Sequence, residues 1–278
     1  MTVSRNGVGE ARLAMLGGPR AVPKGQRILP WPEVTADDEQ AVLRSLRSGR
    51  FTSASAGEAE IAGLEREWAD KVDTRYCVAV SNGTTALSLA LAAAGVGPGD
   101  EVIVPALSFV ATALAPVHLG AVPVFADIDP DTFNVDPAAV AAAVSPRTKA
   151  VVAVHLHGLP AELGELAGIA ARHSLPLVED AAQAHGARYH GRAVGSVGAV
   201  SSFSLNASKN LPTCGEGGLV NTNDDTVYRL ALALRQFGEV IAGHGERSYI
   251  SHLPGWNYKP NAIQCFSGLT RGPQVPRG

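Results

Sequence analysis

Short apolar runs alternate with longer amphipathic ones over most of the chain. Thr35-Ala36-Asp37-Asp38 has the form of a capping box, with a hydroxyl and a carboxylate placed to cap each other's backbone N–H groups. It precedes Ala41, Val42, Leu43 and Leu46, which predicts a helix that runs to about Ser48 and stops at Gly49. Ile61, Leu64 and Trp68 share one helical face and signal a second helix. From Tyr76 the pattern changes to short runs rich in β-branched residues: 77–80, 101–104, 122–125, 150–154, 175–178 and 199–203, with another at 219–222. Helical stretches at 85–94, 137–144 and 161–173 separate several of them. Strands and helices alternating at these lengths predict an α/β fold, with a mainly parallel sheet covered by helices. Ligands in such sheets sit beyond the C-terminal ends of the strands, so the residues leaving each strand are the candidates for chemistry.

The flanks read differently. Residues 1–30 carry arginines, glycines and prolines without a clear period, and are expected to form an N-terminal arm. Residues 31–250 form the expected large domain. Asn257–Cys265 is expected to begin a helix, after which SGLTRGPQVPRG has no hydrophobic period and is expected to be disordered. Residues 251–278 therefore read as the truncated start of a C-terminal region.

Composition narrows the function classes. The 278 residues are 46% hydrophobic and 18% charged, with a formal net charge of −3. No long Lys/Arg cluster is present, which argues against nucleic acid or an anionic membrane surface as partner. Cys77, Cys214 and Cys265 are far apart and have neither metal-ligand nor disulfide-framework spacing. The longest apolar stretch, around 86–96, is too short to span a bilayer, and the N-terminus lacks the form of a secretory signal. A soluble, cytoplasmic protein is expected. The histidines, His155, His157, His185 and His190 among them, form no recognisable metal-ligand set. No G-x-G-x-x-G follows a strand, and there is no P-loop.

Several strand exits carry polar chemistry. Ser81-Asn82-Gly83-Thr84-Thr85 opens a helix, and such a turn either offers free N–H groups to a phosphate or is an ordinary junction capped by Ser81 or Thr84. Asp180 leaves a buried strand, where a carboxylate needs a cation, a helix to cap, or a protonated ring nitrogen. Lys209 lies between two strands among small polar residues and glycines, either in a pocket as a nucleophile or as a solvated side chain. Phe109 follows a strand and is either a core residue or a stacking surface for an aromatic ligand. Asn257 carries no signal by itself.

Taken together, SNGTTALSLAL, GDEVIVPALSFVATA, AVPVFADIDPDTFNVDP, EDAAQAHGA, SFSLNASKNLPTCGEGG and GWNYKPNAIQ resemble the DegT/DnrJ/EryC1/StrS family of PLP-dependent sugar aminotransferases. They occur in the family's order across most of residues 30–265. LAMLGGPRAVP resembles the branch that serves aminocyclitol and antibiotic pathways. The resemblance implies an aspartate-aminotransferase-like large domain that binds pyridoxal 5′-phosphate (PLP), and a small C-terminal domain largely missing here. It implies that Lys209 is the Schiff-base lysine, Asp180 the acid facing the pyridine nitrogen, and Gln183 the residue near the ring hydroxyl. Gly83, Thr84 and Ser204 would hold the phosphate, and Phe109 would stack on the ring. Asn257 would reach the phosphate of a neighbouring subunit, so the active sites of a homodimer are shared. The implied reaction moves an amino group from glutamine or glutamate to a keto-sugar or keto-cyclitol. Lys209 argues against the related sugar dehydratases, which carry histidine there. A catalytically silent PLP-binding remnant is the other reading.

Overall fold

Thr35 opens the first helix as its sequence requires. In the computed structural model, which describes residues 13–22, 24–25, 31–54, 58–239 and 249–265, the Thr35 N–H donates to Asp38 Oδ2 at 2.8 Å and the Asp38 N–H donates back to Thr35 Oγ1. Helix α1 (Ala36–Ser48) ends where Gly49 turns left-handed at φ 67°. Helix α2 (Glu60–Val72) buries Ile61, Leu64 and Trp68, the face marked by their spacing. The chain divides into two compact units, Met1–Glu33 and Val34–Gly278. The first holds a single 3₁₀ turn, Ala14–Leu16, among its described residues.

The second unit is built on a seven-stranded sheet with the order β1-β9-β8-β5-β4-β2-β3. Its strands are β1 (Tyr76–Val80), β2 (Glu101–Pro105), β3 (Val122–Ala126), β4 (Thr148–Val154), β5 (Leu177–Asp180), β8 (Val200–Ser204) and β9 (Gly218–Thr222). A separate two-stranded ribbon joins β6 (Arg188–Tyr189) to β7 (Arg192–Ala193). β3, β2, β4, β5 and β8 pair in parallel, whereas β9 runs antiparallel to both β8 and β1. The start of β9 therefore lies at the same rim of the sheet as the ends of its two neighbours.

Both faces are covered, and the strand alternation shows it. Val78 and Val80 pack in one core with Val102, Val104, Val152 and Val178. Cys77 and Ala79 point the other way, toward α2, Phe203 and Leu219. The first core is filled by α3 (Gly83–Ala93), whose residues 86–91 are all buried; its contacts with the sheet, α4 (Ala111–Val117) and α7 (Asp225–Arg235) explain why it is apolar on every side. The opposite face takes α2 and, at the other end, α6 (Leu163–Arg172) with α5 (Pro137–Ala143). Trp68 is fully buried, edge-on to Phe203 at 5.0 Å between ring centroids.

Two expectations need correction. Asn257–Cys265 is not a helix. Asn257 bridges to Gln236 and Asn261 to Thr52, with only a turn after Asn261. Pro260 accounts for this, since it disfavours helical geometry at Lys259 and has no N–H of its own to donate. The segment instead follows the end of α7, with the Trp256 and Tyr258 N–H groups donating to the Leu234 and Arg235 carbonyls. The strand expected at 175–178 lies two residues later, because Glu179 and Asp180 stay in the ladder opposite Ala153 and Val154. The tail expected to be disordered, from residue 266 onward, lies outside the described residues.

Candidate active site

A cavity of about 860 Å³ opens at the C-terminal rim of the sheet. Gly83, Thr84, Phe109, Asp180, Gln183, Ser204 and Lys209 all line it. These seven come from four strand-to-loop junctions, which is why residues as far apart as Gly83 and Lys209 meet there. Asn257 is not among the lining residues. Its neighbour Tyr258 is, and Asn257 Oδ1 accepts a hydrogen bond from Lys259 Nζ instead.

The first wall is the turn after β1. Asn82, rather than Ser81 or Thr84, caps α3: its Oδ1 accepts the Thr85 N–H at 2.9 Å, and Thr85 Oγ1 accepts the Asn82 N–H in return. The N–H groups of Gly83 and Thr84 are left without a hydrogen-bond partner among the described residues. They sit at the positive end of an 11-residue helix, an arrangement suited to an anion. Gly218 pairs with Val80 on one side and Ser204 on the other, drawing this turn against the end of β8. The fit admits no side chain. A Cβ on Gly218 would lie 2.3 Å from the Asn82 carbonyl oxygen, and one on Gly83 would lie 2.6 Å from Ser204 Cβ.

The floor carries Asp180, the last residue of β5. Thr112 Oγ1 donates to its Oδ2 at 3.0 Å, and the Ala182 N–H donates to its Oδ1 at 3.2 Å. Ser108 Oγ lies 2.8 Å from Thr112 Oγ1, extending the chain of hydroxyls into the loop that carries Phe109. Among the described residues, Asp180 neither caps a helix nor pairs with an arginine, the alternatives left open by its sequence. Burial pushes its carboxyl up from the ordinary value, against the pull of Ala182, Thr112, His155 and Lys209. Such a carboxylate favours a cationic partner from the cavity side.

Lys209 enters from the loop between β8 and β9. Its own N–H donates to the Asn206 carbonyl at 2.8 Å. Asn206 braces the loop: its Oδ1 accepts from the Ser208 N–H and hydroxyl, and its Nδ2 donates to Glu216 Oε1 at 2.6 Å. Phe109 stands on the rim, 66% exposed, so it is not a core residue. Gln183 Oε1 accepts the His157 N–H at 2.9 Å, which fixes its amide in the cavity wall. Thr112, His118, Asn206, Glu216 and Tyr258 also line the cavity and were not singled out by sequence. Ser108 and Thr112 stand four residues apart just after β2, a spacing that could have marked them as neighbours.

The profile of the DegT/DnrJ/EryC1/StrS aminotransferase family matches residues 32–275. The chain belongs to this family. Among similar proteins, L-glutamine:2-deoxy-scyllo-inosose aminotransferase of Streptomyces kanamyceticus is 45% identical over 82% of this chain and 55% of its own length. The crystal structure of 3-amino-5-hydroxybenzoic acid synthase superposes with a TM-score of 0.82 at 39% identity, covering 89% of this chain and 64% of that one. NtdA from Bacillus subtilis, solved with bound cofactor PMP, gives a TM-score of 0.77 at 30% identity over 90% of this chain and 57% of its own. The chain thus spans about half the length of the curated relative it matches. As a DegT/DnrJ/EryC1/StrS member it has the aspartate-aminotransferase-like fold, and the aminotransferases of this family are PLP-dependent.

Proposed function

We propose that this chain holds PLP and transfers an amino group from glutamine or glutamate to a keto-sugar or keto-cyclitol. The observation that carries the reading is that Lys209 and Asp180 line one cavity together with the Gly83–Ser204 cradle. The donor set fits the cofactor. Two unpartnered N–H groups at a helix N-terminus suit a phosphate, a buried carboxylate suits a pyridinium, and an amine suits an aldehyde.

Bound PLP supplies an electron sink for the charge that develops on a substrate's α-carbon. The Gly83 and Thr84 N–H groups and the Ser204 hydroxyl bind phosphate oxygens and fix the cofactor's position along the rim. Asp180 would accept a hydrogen bond from the protonated ring nitrogen, and Thr112 keeps that carboxylate oriented. Phe109 covers a ring face and excludes water from it, while Gln183 binds near the ring hydroxyl. Lys209 would hold the cofactor through its amine at the aldehyde carbon, with loss of water, and once the amino donor takes its place would serve as the base that moves the donor's α-proton. The reverse proton movement serves the keto acceptor.

The relatives act on cyclitols and sugars by their names, which supports the acceptor class. A homodimer with shared sites follows from the same reading, with Asn257 serving the neighbouring subunit's phosphate; so does a cytoplasmic location. Residues 31–250 are then the PLP-binding domain. The test is to incubate the chain with PLP, reduce with borohydride and map the labelled lysine. Label on Lys209, absent from Lys209→Ala, is expected. Label on another lysine, or unchanged visible absorbance in Lys209→Ala, refutes the assignment. In an unreduced sample, adding L-glutamine should convert the wild-type spectrum to that of the aminated cofactor.

A further inference from the structure

Successive residues of a strand face opposite sides of the sheet. Asp180 faces the cavity, so Glu179 faces away from it, and there it is fully buried. It is nevertheless densely satisfied. The Gly195, Val197 and Gly198 N–H groups donate to its carboxylate at 2.7, 2.9 and 2.6 Å. His155, also fully buried, lies 3.1 Å away through Nε2. The Ala161 N–H donates to His155 Nδ1 at 3.0 Å, so Nε2 carries the ring proton and donates to Glu179. Burial pushes the Glu179 carboxyl up, but His155 and the backbone donors more than offset this and hold it below its ordinary value.

His155 grips both residues at the end of β5. Its backbone N–H donates to the Asp180 carbonyl at 3.1 Å while its ring donates to Glu179. The space behind is closed: a Cβ on Gly198 would lie 2.6 Å from the Leu177 carbonyl oxygen and 3.3 Å from Glu179 Cγ. β5 is only four residues long, and Asp180 is its last. Without an anchor, that terminal residue is the one most prone to fray.

We infer that the His155–Glu179 pair is a positioning device, which fixes the end of β5 from behind so that the Asp180 carboxylate meets the ring nitrogen of a bound pyridine cofactor. Neither residue touches the cavity, and both act through Asp180. The inference rests on the proposed PLP site. A carboxylate displaced by a fraction of an ångström holds a proton on the ring less well, so protonation of that nitrogen reads the positioning directly.

Asparagine places an acceptor where Nδ1 stands but cannot reach Glu179, whereas glutamine places its amide donor near Nε2. The experiment compares His155→Asn and His155→Gln with the wild-type chain, using PLP labelled with ¹⁵N at the ring nitrogen, nitrogen NMR across pH, and PLP titration. In H155N the ring nitrogen's apparent pKa is expected to fall by about one unit, a ten-fold change, and the PLP Kd to rise about ten-fold, as on loss of an outer partner. H155Q should stay within about two-fold of wild type on the same scale. If H155N does not fold, Glu179→Gln takes its place with the same expected loss. Variants that match the wild type overturn the inference, as does an equal loss in H155N and H155Q, which would mean that only imidazole packing matters. Failure of the wild-type chain to bind PLP would instead sink the proposed site, and the positioning role with it.

Discussion

One added methyl group tests the cradle. In Gly218→Ala the new Cβ would lie 2.3 Å from the Asn82 carbonyl oxygen and 2.6 Å from its carbon, roughly 1 Å inside ordinary ~3.5 Å contact. That carbonyl cannot simply swing away. It accepts the Ala86 N–H at 3.0 Å and the Thr85 hydroxyl at 2.9 Å, so moving it unwinds the first turn of α3. The cost in stability should be about 1–3 kcal/mol, the usual range for overpacking. Binding should suffer as well, because the Gly83 and Thr84 N–H groups ride on the same turn. Losing one hydrogen bond to a charged phosphate costs about 1.5–3 kcal/mol, or roughly 10- to 100-fold in PLP affinity. Urea unfolding of the apo chain measures the first effect and a PLP titration the second. Gly97→Ala is the control: a Cβ there meets nothing within 4 Å, so its stability should stay within about 0.5 kcal/mol of wild type. If G218A unfolds and binds PLP like G97A, the close approach does not shape the cradle.

Further outcomes follow from the core and the floor of the site. Thr112→Val keeps the shape of the side chain but removes the hydroxyl that donates to Asp180; PLP affinity should drop about ten-fold for a lost charged hydrogen bond, and an unchanged Kd would remove Thr112 from the site. Trp68→Ala empties a fully buried position against Phe203 and should cost about 3–5 kcal/mol by urea unfolding, with a loss under about 1 kcal/mol contradicting the packing described. Burial lowers the His185 pKa from 6.5 to about 4, so the unfolded chain binds the extra proton first. Stability from this group is complete above about pH 6.5 and is lost as pH falls toward 4, up to ~3 kcal/mol in all. His185→Gln should flatten that slope in apo-protein unfolding measured between pH 7 and 4, and an unaltered slope would exclude His185 as its source.

The elements were legible wherever local chemistry decides them. Thr35 and Asp38 announce α1 because capping is a contact over three residues, and the face Ile61–Leu64–Trp68 announces α2 because its burial is periodic. Helical patterning failed at Asn257–Cys265 because Pro260 and the hydrogen bonds to α7 outweigh it. At the site, the turn at Gly83, the carboxylate of Asp180 and the loop at Lys209 could be marked from sequence, since each leaves a strand. What joins them could not. Thr112 meets Asp180 across 68 residues, and nothing local to either predicts it. His155 and His157 alternate along the chain, yet one is a buried donor to Glu179 and the other is exposed, offering only its backbone to Gln183. The antiparallel course of β9 is equally silent in sequence, because strand direction is settled by the connections of the whole sheet.

That reversed strand also sets the order in which the molecule can be completed on the ribosome. β1 has β9 as its neighbour in the sheet, and their registers join Tyr76 to Thr222 and Val80 to Gly218. A nascent chain that has already emerged past β5 still lacks any partner for β1, so the loop bearing Gly83 waits with an open edge beside it. Only when translation delivers the residues beyond Lys209 does the last gap close. Long-separated pairings of this kind form slowly and leave early segments exposed to misassociation.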